Sequence, residues 1–134
     1  MSEKSGLIAY RLQQAEETMQ TARLLLRNSH DMPSIANRTY YACFYGLLAL
    51  LVDKEIGTSK HYGVISAFDR EFVRAGLFAK EDSKTVHEAF DIRQEYDYQE
   101  FVSYDAATIE HLLDRVEALI RKIKAFLINA VEKA

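Results

Sequence analysis

The sequence predicts an all-α fold: an antiparallel up-and-down helical bundle of four main helices and one shorter one, in a single domain over residues 1–134. Three observations predict it. Apolar residues recur at three- and four-residue spacing along most of the chain, and no alternating segment bounded by turns appears. Five Gly and one Pro are too few for a turn-rich β-sandwich or for disorder. A chain of 134 residues that is 49% hydrophobic suffices for one core and one domain without disulfides or metals.

The first helix runs from about Ser5 to Arg27, with Leu12, Ala15, Met19, Ala22 and Leu26 as its apolar stripe. Asn28-Ser29-His30-Asp31 breaks it, and Pro33 opens the second helix with Asp31 or Met32 near its cap. That helix reaches about Glu55 and is apolar nearly all round from Tyr40 to Val52, the pattern of a buried central helix. Gly57-Thr58-Ser59 ends it and caps a third helix over about Lys60 to Ala75, with Ile65, Phe68 and Phe72 facing inward and Gly76 as terminator. The fourth helix spans about Glu81 to Tyr98, with Val86, Ala89, Ile92 and Tyr96 on its apolar side. Ser103-Tyr104-Asp105 opens the last, striped by Leu112, Val116, Leu119, Ile123, Phe126 and Ile128.

Several function classes drop out. The single Cys43 excludes an internal disulfide and a Cys-rich zinc knuckle, and its apolar helix makes it a core thiol. None of the four histidines has an HxxxH or HExxH neighbour, and no ExxH pairs stand on two helices, so no metal is expected. Walker A and Rossmann glycine patterns are absent, and no cofactor is expected. Met1 to Gly6 lacks the apolar stretch of a secretory signal, and the Tyr40–Val52 stretch is too short to span a bilayer. The predicted location is therefore the cytoplasm, with no membrane partner. The net charge is −3, but residues 80–110 hold three basic against nine acidic side chains. No run reads as a footprint for a nucleic-acid backbone, and the acidic block would repel RNA unless the fold places its carboxylates elsewhere.

Two stretches could carry chemistry. An arginine at the head of a buried helix, Arg38, needs a partner. Its ordinary reading is a buried ion pair with a carboxylate, Asp97 among the candidates; the other is a cleft arginine that meets a phosphate. The neighbouring Tyr40, Tyr41 and Tyr45 read as core aromatics with wet hydroxyls. On the fourth helix Arg93 and Asp97 are four apart and share a face, with Tyr98 about 100° further round. By spacing alone this is an ordinary i,i+4 pair.

Taken together, these stretches resemble the HEPN superfamily (higher eukaryotes and prokaryotes nucleotide-binding domain), in particular its small stand-alone prokaryotic branch. The matching residues are Arg38-Thr39-Tyr40-Tyr41-Ala42 with Phe44, Lys60-His61-Tyr62-Gly63-Val64-Ile65-Ser66-Ala67-Phe68, then Phe72-Val73 and Gly76. Arg93 with Asp97-Tyr98 and Tyr104-Asp105-Ala106 completes the match, over roughly residues 10–125. The resemblance implies a homodimeric bundle and a small nucleotidyltransferase partner, in modules often read as toxin–antitoxin pairs. Ribonuclease members carry an Arg-x(4–6)-His motif, in which the arginine binds the scissile phosphate and the histidine transfers protons. Here Arg93 matches the arginine and Asp97 follows it, but Tyr98, Gln99 and Glu100 stand where the histidine would. His87 precedes Arg93 by six residues, about 240° round the helix.

No catalytic residue is therefore assigned. Arg93, Asp97, Tyr98 and Arg38 are the candidate phosphate- or nucleotide-binding residues of a cleft. The favoured reading is a non-catalytic or weakly active module that binds a nucleotide or RNA and a nucleotidyltransferase partner. The alternatives are a metal-independent ribonuclease toxin and a helical adaptor without a nucleotide role.

Overall fold

A computed structural model describes residues 2–58 and 60–133, with side chains through residue 129. It contains five α-helices: α1 Glu3–Asn28, α2 Met32–Asp53, α3 His61–Phe68, α4 Lys80–Tyr98 and α5 Ala106–Lys133. There is no strand among the described residues. The predicted bundle is thus the observed one, with boundaries within a few residues of those expected. The third helix differs in kind: α3 runs into a π-helical turn, Asp69–Val73, before Gly76 at φ +82° ends the segment. The cap expected at Ser59 lies outside the described residues; Lys60 holds the cap position of α3 without a side-chain cap bond.

Local chemistry explains the ends. The Asp31 carboxylate accepts the Ser34 N–H at 3.3 Å and opens α2, with Pro33 in the first turn. The Asp82 carboxylate accepts the Ala79 N–H at 2.9 Å at the start of α4, and Asp105 accepts the Thr108 N–H at 2.8 Å at the start of α5.

α2 packs against α1, α3, α4 and α5 and is buried round most of its circumference. By length and hydropathy it is the one described helix apolar enough to cross a membrane, yet it forms the centre of the bundle. Gly46 permits its close approach to α5: a Cβ there would lie 3.2 Å from Ile123 Cδ1. The stripes read from sequence bury Leu12, Ala15, Met19 and Ala22 on α1 and Ile65, Phe68 and Phe72 around α3. On α5 the inner face is Leu112, Val116, Leu119, Ile123 and Leu127; Ile128 is exposed, a correction of one position at the end of the stripe. Cys43 is a buried core thiol, pushed up to about 12 by desolvation, which removes it as a nucleophile.

Three of the six acidic side chains of α4 are engaged by residues beyond it. Glu88 pairs with Arg115 at 2.8 Å and Asp82 with Lys122 at 2.5 Å, both on α5. Glu95 accepts the Tyr104 hydroxyl, which that bond and burial push up to about 12. The fold thus turns Asp82, Glu88 and Glu95 toward α5 and the α4–α5 loop.

Candidate functional site

The site is built on the aromatic head of α2. Successive residues of a helix point about 100° apart, so Tyr40 turns inward while Tyr41 sits at the edge of the core. Tyr40 is 1% exposed and Tyr41 half-buried, their ring centroids 5.2 Å apart in an edge arrangement. These two rings form a shelf on which side chains from three helices meet.

Arg93 comes from α4. It follows the buried Ile92, so its side chain leaves the core at the rim and crosses the shelf. Its guanidinium carbon lies 5.5 Å from the Tyr40 centroid and 5.4 Å from that of Tyr41, within cation–π range. Its Nε stands 2.7 Å from Asp97 Oδ2. This contact is a charge pairing rather than an aligned hydrogen bond, because the buried Nε–H has no acceptor in line with it. The sequence-predicted pair is thus present, and it leaves the terminal amino groups of Arg93 without a hydrogen bond among the described residues.

Arg38 departs from expectation. It is half-buried rather than buried, and no carboxylate pairs with it among the described residues. Its Nη2 and Nε donate to Asn37 Oδ1 at 2.6 and 3.0 Å, and its guanidinium lies 5.2 Å from the Tyr41 centroid. The ion-pair reading is corrected: the adjacent amide and the Tyr41 ring hold Arg38 at the rim, and Asp97 is engaged by Arg93. Arg38 and Asp97 do line one open groove of about 450 Å³, with Pro33, Ser34 and Asn37 on its α2 side.

Tyr98 stands apart. It is 76% exposed near the end of α4 and lines a different groove, with Asp91, Gln94, Glu95 and Gln99. The structure therefore brings Arg93, Asp97 and Arg38 to one rim and leaves Tyr98 off it.

A fourth member stood in the sequence only as part of the matching Lys60–Phe68 stretch and was not assigned to the site. His61, the first residue of α3, lies against the same shelf. Its ring stacks on Phe44 at 4.6 Å and on Tyr40 at 5.5 Å, and meets Tyr41 edge-on at 5.9 Å. Its Nδ1 lies 2.5 Å from the Tyr40 hydroxyl, which is therefore bonded rather than wet as expected. Burial, and then the charge of Arg93, hold His61 below the ordinary histidine range. Burial also pushes the Tyr40 phenol up, so it stays protonated. His87, by contrast, is exposed and pairs with Asp69 at 2.7 Å on another part of the surface. Among the described residues no group of three or more His, Cys, Asp or Glu side chains is placed to hold a metal ion.

The shelf thus gathers the Arg93 guanidinium over both rings, the Arg38 guanidinium beside Tyr41 and the His61 imidazole against Tyr40 and Tyr41, with Asp97 paired to Arg93. Such a set offers hydrogen-bond donors and positive charge to an anion. Comparison with known proteins matches the HEPN domain family over residues 8–126. A "UPF0332 protein" of Thermotoga maritima is 40% identical over 131 residues, covering 92% of this chain and 98% of its own. Two Methanocaldococcus jannaschii proteins are also similar. "Putative toxin MJ0142" is 31% identical over 118 residues, 88% of this chain and 80% of its own. "Putative toxin MJ0605" is 30% identical over 118 residues, 81% of this chain and 85% of its own.

Proposed function

Taking as premise that the chain belongs to the HEPN family, we propose that it is a binding module whose Arg93 takes the phosphate of a nucleotide or RNA, with little or no cleavage. One observation carries this reading. Arg93 is laid over Tyr40 and Tyr41 and steadied by Asp97, while its terminal amino groups carry no bond among the described residues. A guanidinium oriented in this way is prepared to grip a phosphate, as groups behind a ligand-binding side chain orient it. Arg38 at the edge of the same shelf adds positive charge. The biological setting proposed is a cytoplasmic homodimer paired with a small nucleotidyltransferase, as the family resemblance implies. Calorimetric titration of the purified chain with adenosine monophosphate and with a short RNA tests the binding. Arg93→Gln should weaken it at least tenfold, since a charged hydrogen bond is worth about 1.5–3 kcal/mol. Equal affinity in the variant would refute the assignment.

The second reading is a ribonuclease toxin. It is favoured by the two relatives named as toxins and by the imidazole of His61 beside the Arg93 shelf. Incubation with mixed RNA separates the two: cleavage that disappears in Arg93→Ala would establish the toxin reading over the binding one.

A further inference from the structure

We propose that His61 is the second donor of the Arg93 site: Tyr40 fixes its imidazole with the proton on Nε2, and that N–H grips the same phosphate group as Arg93. The proposal rests on the phosphate-binding reading of Arg93 above.

The argument starts from the Tyr40 hydroxyl. Tyr40 is 1% exposed, and its hydroxyl has one partner among the described residues, His61 Nδ1 at 2.5 Å. If Nδ1 carried the proton and donated, the phenolic hydrogen would be left in the core with no acceptor, which costs its full desolvation. If the phenol donates, both groups are satisfied. Nδ1 is then an acceptor, and a neutral ring must carry its hydrogen on Nε2. Neutrality follows from the surroundings. The half-buried ring packs against Phe44, Tyr40 and Tyr41, and burial, then the Arg93 charge, disfavour a second positive charge on it.

The ring is also fixed in space. Stacking on Phe44 and Tyr40 sets its plane, and the hydrogen bond sets its rotation about that plane. His61 from α3 and Arg93 from α4 both lie against the Tyr40 and Tyr41 rings, and the Arg93 charge is felt at the imidazole, so the two side chains are neighbours at this rim. An Nε2–H donates a hydrogen bond and cannot take up a proton. A histidine held in this way binds an anion and does not serve as a base for a ribose hydroxyl. The ligand class is a phosphate mono- or diester, and the source, free nucleotide or RNA backbone, is left to the experiment.

The test uses the full chain titrated calorimetrically with inorganic phosphate, adenosine monophosphate and a short RNA. His61→Asn keeps a polar group near the Nδ1 position for Tyr40 but loses the outer donor. His61→Gln reaches the Nε2 position and restores an N–H there. Expected are about a tenfold loss of affinity in His61→Asn, equivalent to about 1.4 kcal/mol, and a smaller loss in His61→Gln. A merely structural role for His61 predicts the reverse order, with Asn the better substitute. If Arg93→Gln weakens binding while His61→Asn binds like the parent, the His61 proposal is overturned and the Arg93 reading stands. If the parent binds none of the three probes, both fall. Nitrogen-15 NMR of the parent protein's imidazoles keeps the test independent of variant folding. His61 should show a bare Nδ1 and a protonated Nε2 whose signal moves with adenosine monophosphate. A protonated Nδ1 would overturn the proposal outright.

Discussion

Replacing Tyr40 by Phe isolates the contact on which the site depends. The ring itself is unchanged: it is 1% exposed, and its packing on Phe44, Phe90, Tyr41 and His61 involves carbon atoms that Phe retains. No cavity larger than one oxygen is opened. What disappears is the bond to His61 Nδ1. A neutral intramolecular hydrogen bond contributes about 0.5–1.5 kcal/mol net. The acceptor left behind could add to this, but His61 is half-buried, so water can reach part of the ring. The loss should therefore be about 1 kcal/mol, which for a chain of this length is about 3–5 °C in Tm.

Urea denaturation followed by circular dichroism measures it, with an unchanged slope showing that the folded and unfolded states are otherwise alike. A cycle with His61→Ala separates the pair from its surroundings: the coupling between the two substitutions should be about 0.5–1.5 kcal/mol. A stability equal to or above the parent's in Tyr40→Phe, with coupling near zero, would mean that the hydroxyl gains nothing from Nδ1. The reasoning that fixes the His61 tautomer would then collapse.

Two further outcomes follow from the same geometry. Arg38→Ala should cost only about 0.5–1 kcal/mol, the range of an exposed cation–π contact, because its partners are the Tyr41 ring and the neutral Asn37 amide. A loss of about 3–5 kcal/mol in unfolding free energy would instead restore the buried ion pair. Stability against pH should separate the parent from His61→Gln. His61 is held below its unfolded value of about 6.5, so the unfolded chain binds the proton more readily. Its contribution is complete above about pH 6.5 and declines as pH falls toward the depressed value. The stability difference between parent and variant should therefore shrink in that direction, and parallel curves from pH 7 to pH 5 would contradict it.

The helices were legible because burial in a bundle imposes the 3.6-residue period directly on the sequence. Leu12, Ala15, Met19 and Ala22 are buried for the reason they could be read. The Arg93–Asp97 contact was legible for a related reason, since i,i+4 neighbours meet on any regular helix. Contacts between helices leave no such mark. Nothing in the spacing of Arg38 says that its own neighbour Asn37 would hold it. Nothing in the single letter of His61 says that its ring would lie on Tyr40, which stands 21 positions earlier on another helix. The available signals were its place at the opening of a helix and its inclusion in the Lys60–Phe68 stretch that carries the family resemblance.

The acidic segment is the other half of this problem. Summed along the chain, residues 80–110 oppose an anionic ligand, and Arg93 sits in their midst. In the fold, Glu88 and Asp82 are drawn to basic side chains of α5 and Glu95 to Tyr104. Asp97 is then the carboxylate beside the shelf, and it is spent on Arg93. What meets at the Tyr40–Tyr41 shelf is two guanidinium groups and an imidazole, with Asp97 engaged by Arg93. Linear charge density does not describe one rim, because a helix distributes consecutive side chains around its whole circumference. Ligand recognition answers to one side of it. The position of the His61 proton decides what that side can do. In the proposed arrangement, Nδ1 is occupied by Tyr40, and an arginine–imidazole pair suited to cleaving phosphodiesters is one that would hold them instead.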